Sequence, residues 1–298
     1  MNPQSRIHVR NTRTFDLTRD NLGRITDMTE NVLGTIKAYD YNYDSNGRLD
    51  EVKENGVVIG ESTFGVNSTR TSGKVNSSTF TAVYDAHDRL TDWNALDFAY
   101  NDNGEMISKT DTSSTDVTSF TWSPFGKLET VTLPSTDVVT YKYDGFGRKA
   151  LVLLNGTVQY ALLYQGQLRP VAQMDSSGNL IARFIWGQKL NTPEYIVKGG
   201  VKYRLVTDPR GSVRLVLNAD DGTVAQRIDY NEWGQVISDT SPGFQPFGYA
   251  GGLYDPLTDL TEFGARHYDA SVGRFTSKDP IGFAGGELTS MLMLEITL

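Results

Sequence analysis

The sequence predicts an almost all-β chain in which successive hairpins lie edge to edge and form one long, coiled sheet. Three observations lead to this fold class. First, no stretch holds a helical apolar period. Short alternating runs recur instead, such as Val138-Val139-Thr140-Tyr141-Lys142-Tyr143, Arg183-Phe184-Ile185-Trp186 and Val213-Arg214-Leu215-Val216-Leu217. These runs are rich in Val, Thr, Tyr and Phe, which suit a pleated, half-buried surface. Second, turn signals separate them: Asn46-Gly47, Asn103-Gly104, Asn155-Gly156, Ser177-Gly178 and Asp221-Gly222. Such pairs tolerate the positive φ that a tight hairpin needs.

Third, one phrase recurs: aromatic, Asp or Asn, two residues, Gly, basic or polar, aliphatic. It reads Tyr43-Asp44-Ser45-Asn46-Gly47-Arg48-Leu49, then Tyr100-Asn101-Asp102-Asn103-Gly104-Glu105-Met106 and Trp122-Ser123-Pro124-Phe125-Gly126-Lys127-Leu128. It returns as Tyr143-Asp144-Gly145-Phe146-Gly147-Arg148-Lys149 and Tyr230-Asn231-Glu232-Trp233-Gly234-Gln235-Val236, with degenerate copies at 19–25 and 84–90. A period of roughly 16 to 24 residues in the clearest stretch marks a stacked repeat. The aromatic ends a strand, Asp or Asn caps the turn, Gly takes the left-handed conformation, and the aliphatic starts the return strand pointing inward. A lone hairpin is marginal in water, so each copy needs its neighbours.

Composition narrows the function. The chain has 298 residues, 28 Lys+Arg against 36 Asp+Glu and a net charge of -8, which disfavours nucleic-acid binding. It has no Cys and only His8, His87 and His267, which excludes disulfides, thiolate catalysis and Cys-ligated metals and argues against a His-rich site. No cofactor or metal is expected. The N-terminus, MNPQSRIHVRNTRTF, has no apolar signal region, and no apolar run is long enough to span a membrane. The chain expressed alone would therefore stay cytoplasmic unless it is part of a longer exported protein. No nucleophile elbow, zinc-protease helix, P-loop or EF-hand loop occurs. Trp93, Trp122, Trp186 and Trp233 suggest a sugar-stacking platform, but core packing is the preferred reading. His267 is expected to pack or hydrogen-bond rather than catalyse.

The Tyr-Asp-x-x-Gly-Arg phrase resembles the YD repeats of RHS proteins, Tc toxin C subunits, wall-associated proteins and teneurins. The C-terminal half is similar to the RHS repeat-associated core. Asp208, Gly211 and Ser212 match its D-x-x-G-S segment. Further on, Tyr254-Asp255, Arg266, Tyr268-Asp269, Gly273-Arg274, Asp279-Pro280 and Gly282 stand in its longer signature. The resemblance implies a β-sheet spiralling into a hollow shell with a C-terminal plug. Residues 1–150 would be the YD-repeat shell segment, 151–286 the core and 287–298 an aberrant tail. It implies further that Asp279, preceded by basic Lys278, corresponds to one half of an aspartyl autoprotease dyad. The partner motif, a second Asp-Pro-x-Gly-Leu about two dozen residues on, does not occur in this sequence, so no self-cleavage is expected and Asp279 reads as a turn residue. The tail ELTSMLMLEITL departs from the family's continuation. Back-translated with permitted codons and shifted by two nucleotides, it yields Val-Asn-Leu-Tyr-Ala-Tyr-Val-Gly-Asn-Asn-Pro, which suggests a frameshift after Gly286.

The expected function is a non-catalytic segment of a toxin-encapsulating shell that lacks its effector. Its partners would be the rest of the shell or another shell protein, and a secretion apparatus. The alternative is a cell-surface module that binds glycans or protein. Unpaired strand edges predict oligomers or aggregation in isolation.

Overall fold

A computed structural model describes residues 13–280. The suspected frameshifted tail and Gly282 lie outside the described residues. The architecture is the predicted one. Twenty-two strands, from β1 (Arg13–Arg19) to β22 (Val236–Asp239), form one sheet, and β23 (Leu253–Asp255) to β26 (Arg274–Phe275) form a second, 4-stranded sheet. Every strand from β1 to β21 pairs antiparallel with the strand that follows it in the chain. The large sheet is therefore a single meandering ribbon. The boundary expected between residues 150 and 151 falls inside β14 (Lys149–Leu154), which pairs with β13 (Val138–Tyr143) on one side and with β15 (Thr157–Gln165) on the other. The only helical element among the described residues is a 3-10 turn at Tyr249–Gly251.

A meander places alternate turns at opposite rims. The recurring phrase occupies one rim. The other carries short turns such as Asn155-Gly156, where both residues have positive φ, 50° and 80°. Backbone type and rim do not coincide, since Ser177-Gly178 and Asp221-Gly222 share the rim of Asn155-Gly156. At Asn46-Gly47, Asn103-Gly104, Ser177-Gly178 and Asp221-Gly222 only the glycine is left-handed.

The ribbon closes as a scroll. In β20 (Val213–Asn218), Leu215, Val216 and Leu217 are each at most 1% exposed, although neighbours along a strand face opposite ways. Both faces of β20 are therefore covered. Val216 packs with Phe247 in the interior. Leu215 and Leu217 pack with Val32 of β2 (Ile25–Val32), and Arg214 bonds Glu30 of the same strand at 2.6 Å. The start of the ribbon laps over the far face of its end. The main core joins inward residues of the wall, from Phe80 to Val152, with Trp233, Leu260 and Val272 of the C-terminal segment.

Candidate functional site

The repeated turn and the segment it encloses are the two parts of the site. Asp44 shows the turn. Its N–H donates to the Arg48 carbonyl at 2.9 Å, and Gly47 N–H donates to the Asp44 carbonyl at 2.9 Å. Asp44 Oδ1 accepts from the N–H groups of Asn46 and Arg48, and Oδ2 accepts from Arg48 Nε at 2.7 Å. Gly47 has φ 82°, and the ladder register shifts beside the turn, as a glycine bulge requires. Slight burial would raise the Asp44 carboxyl, but the Arg48 contact and the two amides outweigh it and hold the group below its usual value. Asp20–Arg24, Asp85–Arg89 and Asp144–Arg148 repeat the arrangement. Where the first residue is Asn, the fourth residue on changes from donor to acceptor. Asn101 Nδ2 donates to Glu105 and Asn231 Nδ2 to Gln235. The pair is complementary in hydrogen bonding rather than fixed in charge.

The phrase also fastens each hairpin to the next. Arg24 stacks over Tyr43 at 4.4 Å, Arg48 over Phe64 at 4.2 Å and Arg148 over Tyr164 at 5.1 Å. At Tyr43, Tyr143 and Tyr164 the hydroxyl reaches back to the residue that begins the preceding return strand. Tyr43 Oη donates to the Ile25 carbonyl at 2.8 Å, Tyr143 to Leu128 at 2.8 Å and Tyr164 to Lys149 at 3.0 Å. The indole N–H groups of Trp122 and Trp186 make the same bond to Met106 and Pro170. Trp93 and Trp233 are 5% exposed. All four tryptophans therefore serve the wall and core, as preferred above, and none forms an open sugar platform.

The segment after β22 runs inside the wall as a plug. The core-signature residues tie its entrance. Asp208 Oδ1 accepts the N–H groups of Arg210 and Ser212, Ser212 Oγ accepts from Ala250 N–H at 3.0 Å, and the Gly211 carbonyl accepts from Thr192. Deeper in, the buried Asp255 accepts from Tyr141 Oη at 2.7 Å, while at the surface Tyr254 Oη donates to the exposed Asp259 at 2.6 Å. Tyr268 Oη donates to the Trp233 carbonyl at 2.9 Å. Asp269 meets Lys109 Nζ at 2.8 Å, and Ser271 bonds the same carboxylate. Burial would raise Asp269, yet Lys109 and Ser271 together hold it below its usual value. Gly273 passes so close to Trp233 that a Cβ would lie 2.9 Å from the ring. Arg274 donates to the Asp88 carbonyl and stacks over Tyr84.

Asp279 Oδ2 lies 2.9 Å from Arg266 Nη2 at the plug's end, with Arg266 3.7 Å over Phe275. Lys278 is exposed and lies against Gly104, whose Cβ would come within 2.5 Å of it; Pro280 is exposed. The plug therefore buries Asp255, Tyr268, Asp269 and Arg274, leaves Tyr254 and Arg266 half-buried, and sets Asp279 beside a cation. His267 is buried and stacked on Tyr141 at 5.4 Å, with neither ring nitrogen hydrogen-bonded among the described residues. Burial pushes it down to about 4, against the pull of Glu262 and with the help of Lys149.

Two buried cations were missed by sequence reasoning, one meeting the plug and one meeting the turn before β22. Lys149 Nζ lies 2.9 Å from Glu262 Oε2, both side chains at most 5% exposed. Arg70 is 5% exposed and sits 5.3 Å over Trp233. The signal was present. Both occupy the position where the repeat phrase places an aliphatic, as Leu49, Leu90 and Leu128 do.

A family model described as teneurin YD-shell matches residues 2–285. The chain belongs to the teneurin YD-shell family. Its YD-shell relatives include zebrafish (Danio rerio) teneurin-3, 26% identical over 269 residues, which covers 87% of this chain and 10% of that protein. Human teneurin-4 is 39% identical over 84 residues, 28% of this chain and 3% of that protein. Among solved structures, TcdB2-TccC3-TEV matches with a TM-score of 0.61 at 16% identity over 95% of this chain, and the Photorhabdus luminescens Tc holotoxin pore with 0.58 at 15% over 97%. The YD shell seen here spans 18% of each of those toxin chains. The shared sequence and fold establish a structural shell segment of RHS/YD type.

Proposed function

We propose that this YD-shell segment is a non-catalytic closing piece of a larger encapsulating shell, exported within a longer protein, and that it holds no effector of its own. The observation that carries the reading is how the interior is used. The wall's inward cations and aromatics are engaged by the chain's own residues 231–280, through Lys149–Glu262, Lys109–Asp269 and Arg70–Trp233. A cavity of about 320 Å³ lies between wall and plug, lined by Phe120, Leu133, Tyr254 and Leu257 among others. That is the volume of a small-molecule pocket, not of a folded cargo. Cargo would lie elsewhere in a longer shell, and the remaining shell would join at the outer edge of β1, which pairs only with β2 among the described strands. The core signature from residue 151 onward is then the closing stretch of wall together with its plug. Asp279, held by Arg266, serves that closure and is not expected to cut. Incubating the purified chain and measuring its intact mass tests this. A constant full-length mass is expected; two fragments that meet near Asp279 would overturn it.

A second reading, surface recognition, is favoured by one feature. Phe125 and Phe146 are 91% and 73% exposed at the tips of neighbouring hairpins. Equivalent positions two strands apart stand about 10 Å from each other. A glycan array with the wild-type chain and a Phe125→Ser/Phe146→Ser variant tests it; signal lost in the variant supports recognition, and no signal from either retires it.

A further inference from the structure

Three residues from three parts of the molecule, each with a buried polar atom that lacks a partner among the described residues, line one small cavity. Asp50 lies on β4 (Leu49–Glu54), Arg70 on β6 (Arg70–Val75), and Glu232 on the turn between β21 (Val224–Tyr230) and β22. Asp50 Oδ1, Arg70 Nε and Glu232 Oε2 are all buried without a hydrogen-bond partner among the described residues. All three residues line a cavity of about 20 Å³, together with Gly60, Glu61, Lys74 and Trp233. Glu61 and Lys74 lie 3.4 Å apart as an ion pair of their own. The other oxygen of Glu232 accepts from Asn76 N–H at 2.8 Å. It lies so near β5 (Val57–Phe64) that a Cβ on Gly60 would meet it at 2.8 Å. The Arg70 guanidinium is stacked on Trp233 at 5.3 Å and makes no ion pair among the described residues.

Orphaned polar atoms of this kind cost free energy, and the rule is that each finds a protein or water partner. The inventory here is one donor and two acceptors. A cation would face the Arg70 N–H, and an anion would face two carboxylate oxygens. Water fits both: it gives one hydrogen to each carboxylate and a lone pair to Arg70 Nε. The space suffices for one such molecule.

We infer that this cavity is a single-water site, and that the water bridges Asp50, Arg70 and Glu232 to lock the ribbon's last turn onto the opposite wall. The latch joins β4 and β6 to a turn more than 150 positions later in the chain, where Trp233 enters the stack of Phe80 and Trp93. Glu232 thus does for the scroll's inner end what Glu30 does for its outer lap.

A crystal structure of the full chain, at a resolution that places ordered waters, tests the site directly. One density peak is expected at hydrogen-bond distance, about 2.7–3.2 Å, from all three atoms. Arg70 Nε bonded directly to either carboxylate, or an anomalous peak there after a bromide soak, would overturn the inference. A thermal cycle of Asp50→Leu, Glu232→Leu and the double variant tests the bridge in solution. Each single change is expected to lower the melting temperature by about 2–8 °C, and the double variant by clearly less than the sum, because the first change already breaks the shared bridge. Additive shifts would overturn it.

Discussion

The wall and the plug are built from the same residue types and held by opposite kinds of contact. In the wall, each hairpin touches its neighbours through bonds that recur once per repeat: Asp to Arg four residues on, and Tyr to a carbonyl some 14 to 18 residues back. In the plug, the partners lie far apart in sequence and each occurs once. Tyr141–Asp255 spans 114 positions, Lys109–Asp269 160 and Arg274–Asp88 186. The wall is a quasi-one-dimensional array whose stability accrues repeat by repeat. The plug makes that array close. A repeat can lose one bond and remain tied by its neighbours, whereas a plug contact has no duplicate.

The largest expected effect follows from that difference. Lys149→Met leaves Glu262 buried without its cation, and a broken buried pair costs about 3–5 kcal/mol. Lys149→Met with Glu262→Leu should recover most of it, because no charge is then stranded. Urea denaturation of the two singles and the double measures the coupling. A loss in the double variant equal to the sum of the two singles would show that Lys149 and Glu262 do not form a plug contact.

Next comes acid sensitivity. His267 is held near 4 when folded against about 6.5 when unfolded, so the unfolded chain binds the extra proton between those values. The neutral ring's contribution is full above about 6.5 and is lost as pH falls toward 4, roughly 3 kcal/mol in all. The turn aspartates, held below their usual values, lose their contribution only at lower pH. His267→Phe should therefore flatten the stability profile between pH 6.5 and 4 and leave the more acidic limb unchanged. An unchanged slope above pH 4 would place the sensitivity elsewhere.

Smaller effects test the wall. Tyr43→Phe, Tyr143→Phe and Tyr164→Phe each remove one bond to a carbonyl, and each should cost about 1 kcal/mol. Tyr43→Phe and Tyr164→Phe together should add, since the two lie in distant repeats. Strong non-additivity would mean the wall is not a chain of near-independent ties. The smallest effect, within about 0.5 kcal/mol, belongs to Phe125→Ser at its exposed tip.

The same difference decides what the sequence could show. The hairpin ribbon was legible because its contacts are local and repeated: Tyr43-Asp44 and Gly47-Arg48 carry their own geometry at fixed spacing. The tie from Tyr143 to Leu128 was not legible, since the phrase shows an aromatic and an aliphatic but not that one reaches the other's carbonyl. The scroll's overlap left a trace in Leu215-Val216-Leu217, where strand alternation breaks. The partners of the plug and of the ribbon's last turn left a fainter one, a cation in the aliphatic place at Lys149 and at Arg70. Nothing in the sequence around Asp279 reveals that Arg266 faces it, because that contact depends on how β25 (Arg266–Asp269) sits against the plug's end.

That wall and plug form one cooperative structure is tested most directly by amide hydrogen exchange on the intact chain. In the plug, Thr276 N–H donates to the His267 carbonyl at 2.8 Å, and the wall's Met106 N–H donates to the Thr276 carbonyl at 2.8 Å. These amides should exchange as slowly as those of β13 (Val138–Tyr143), through global unfolding alone. Rapid exchange at Thr276 and Met106 beside a protected β13 would contradict the account, because the plug would then leave the wall without unfolding it.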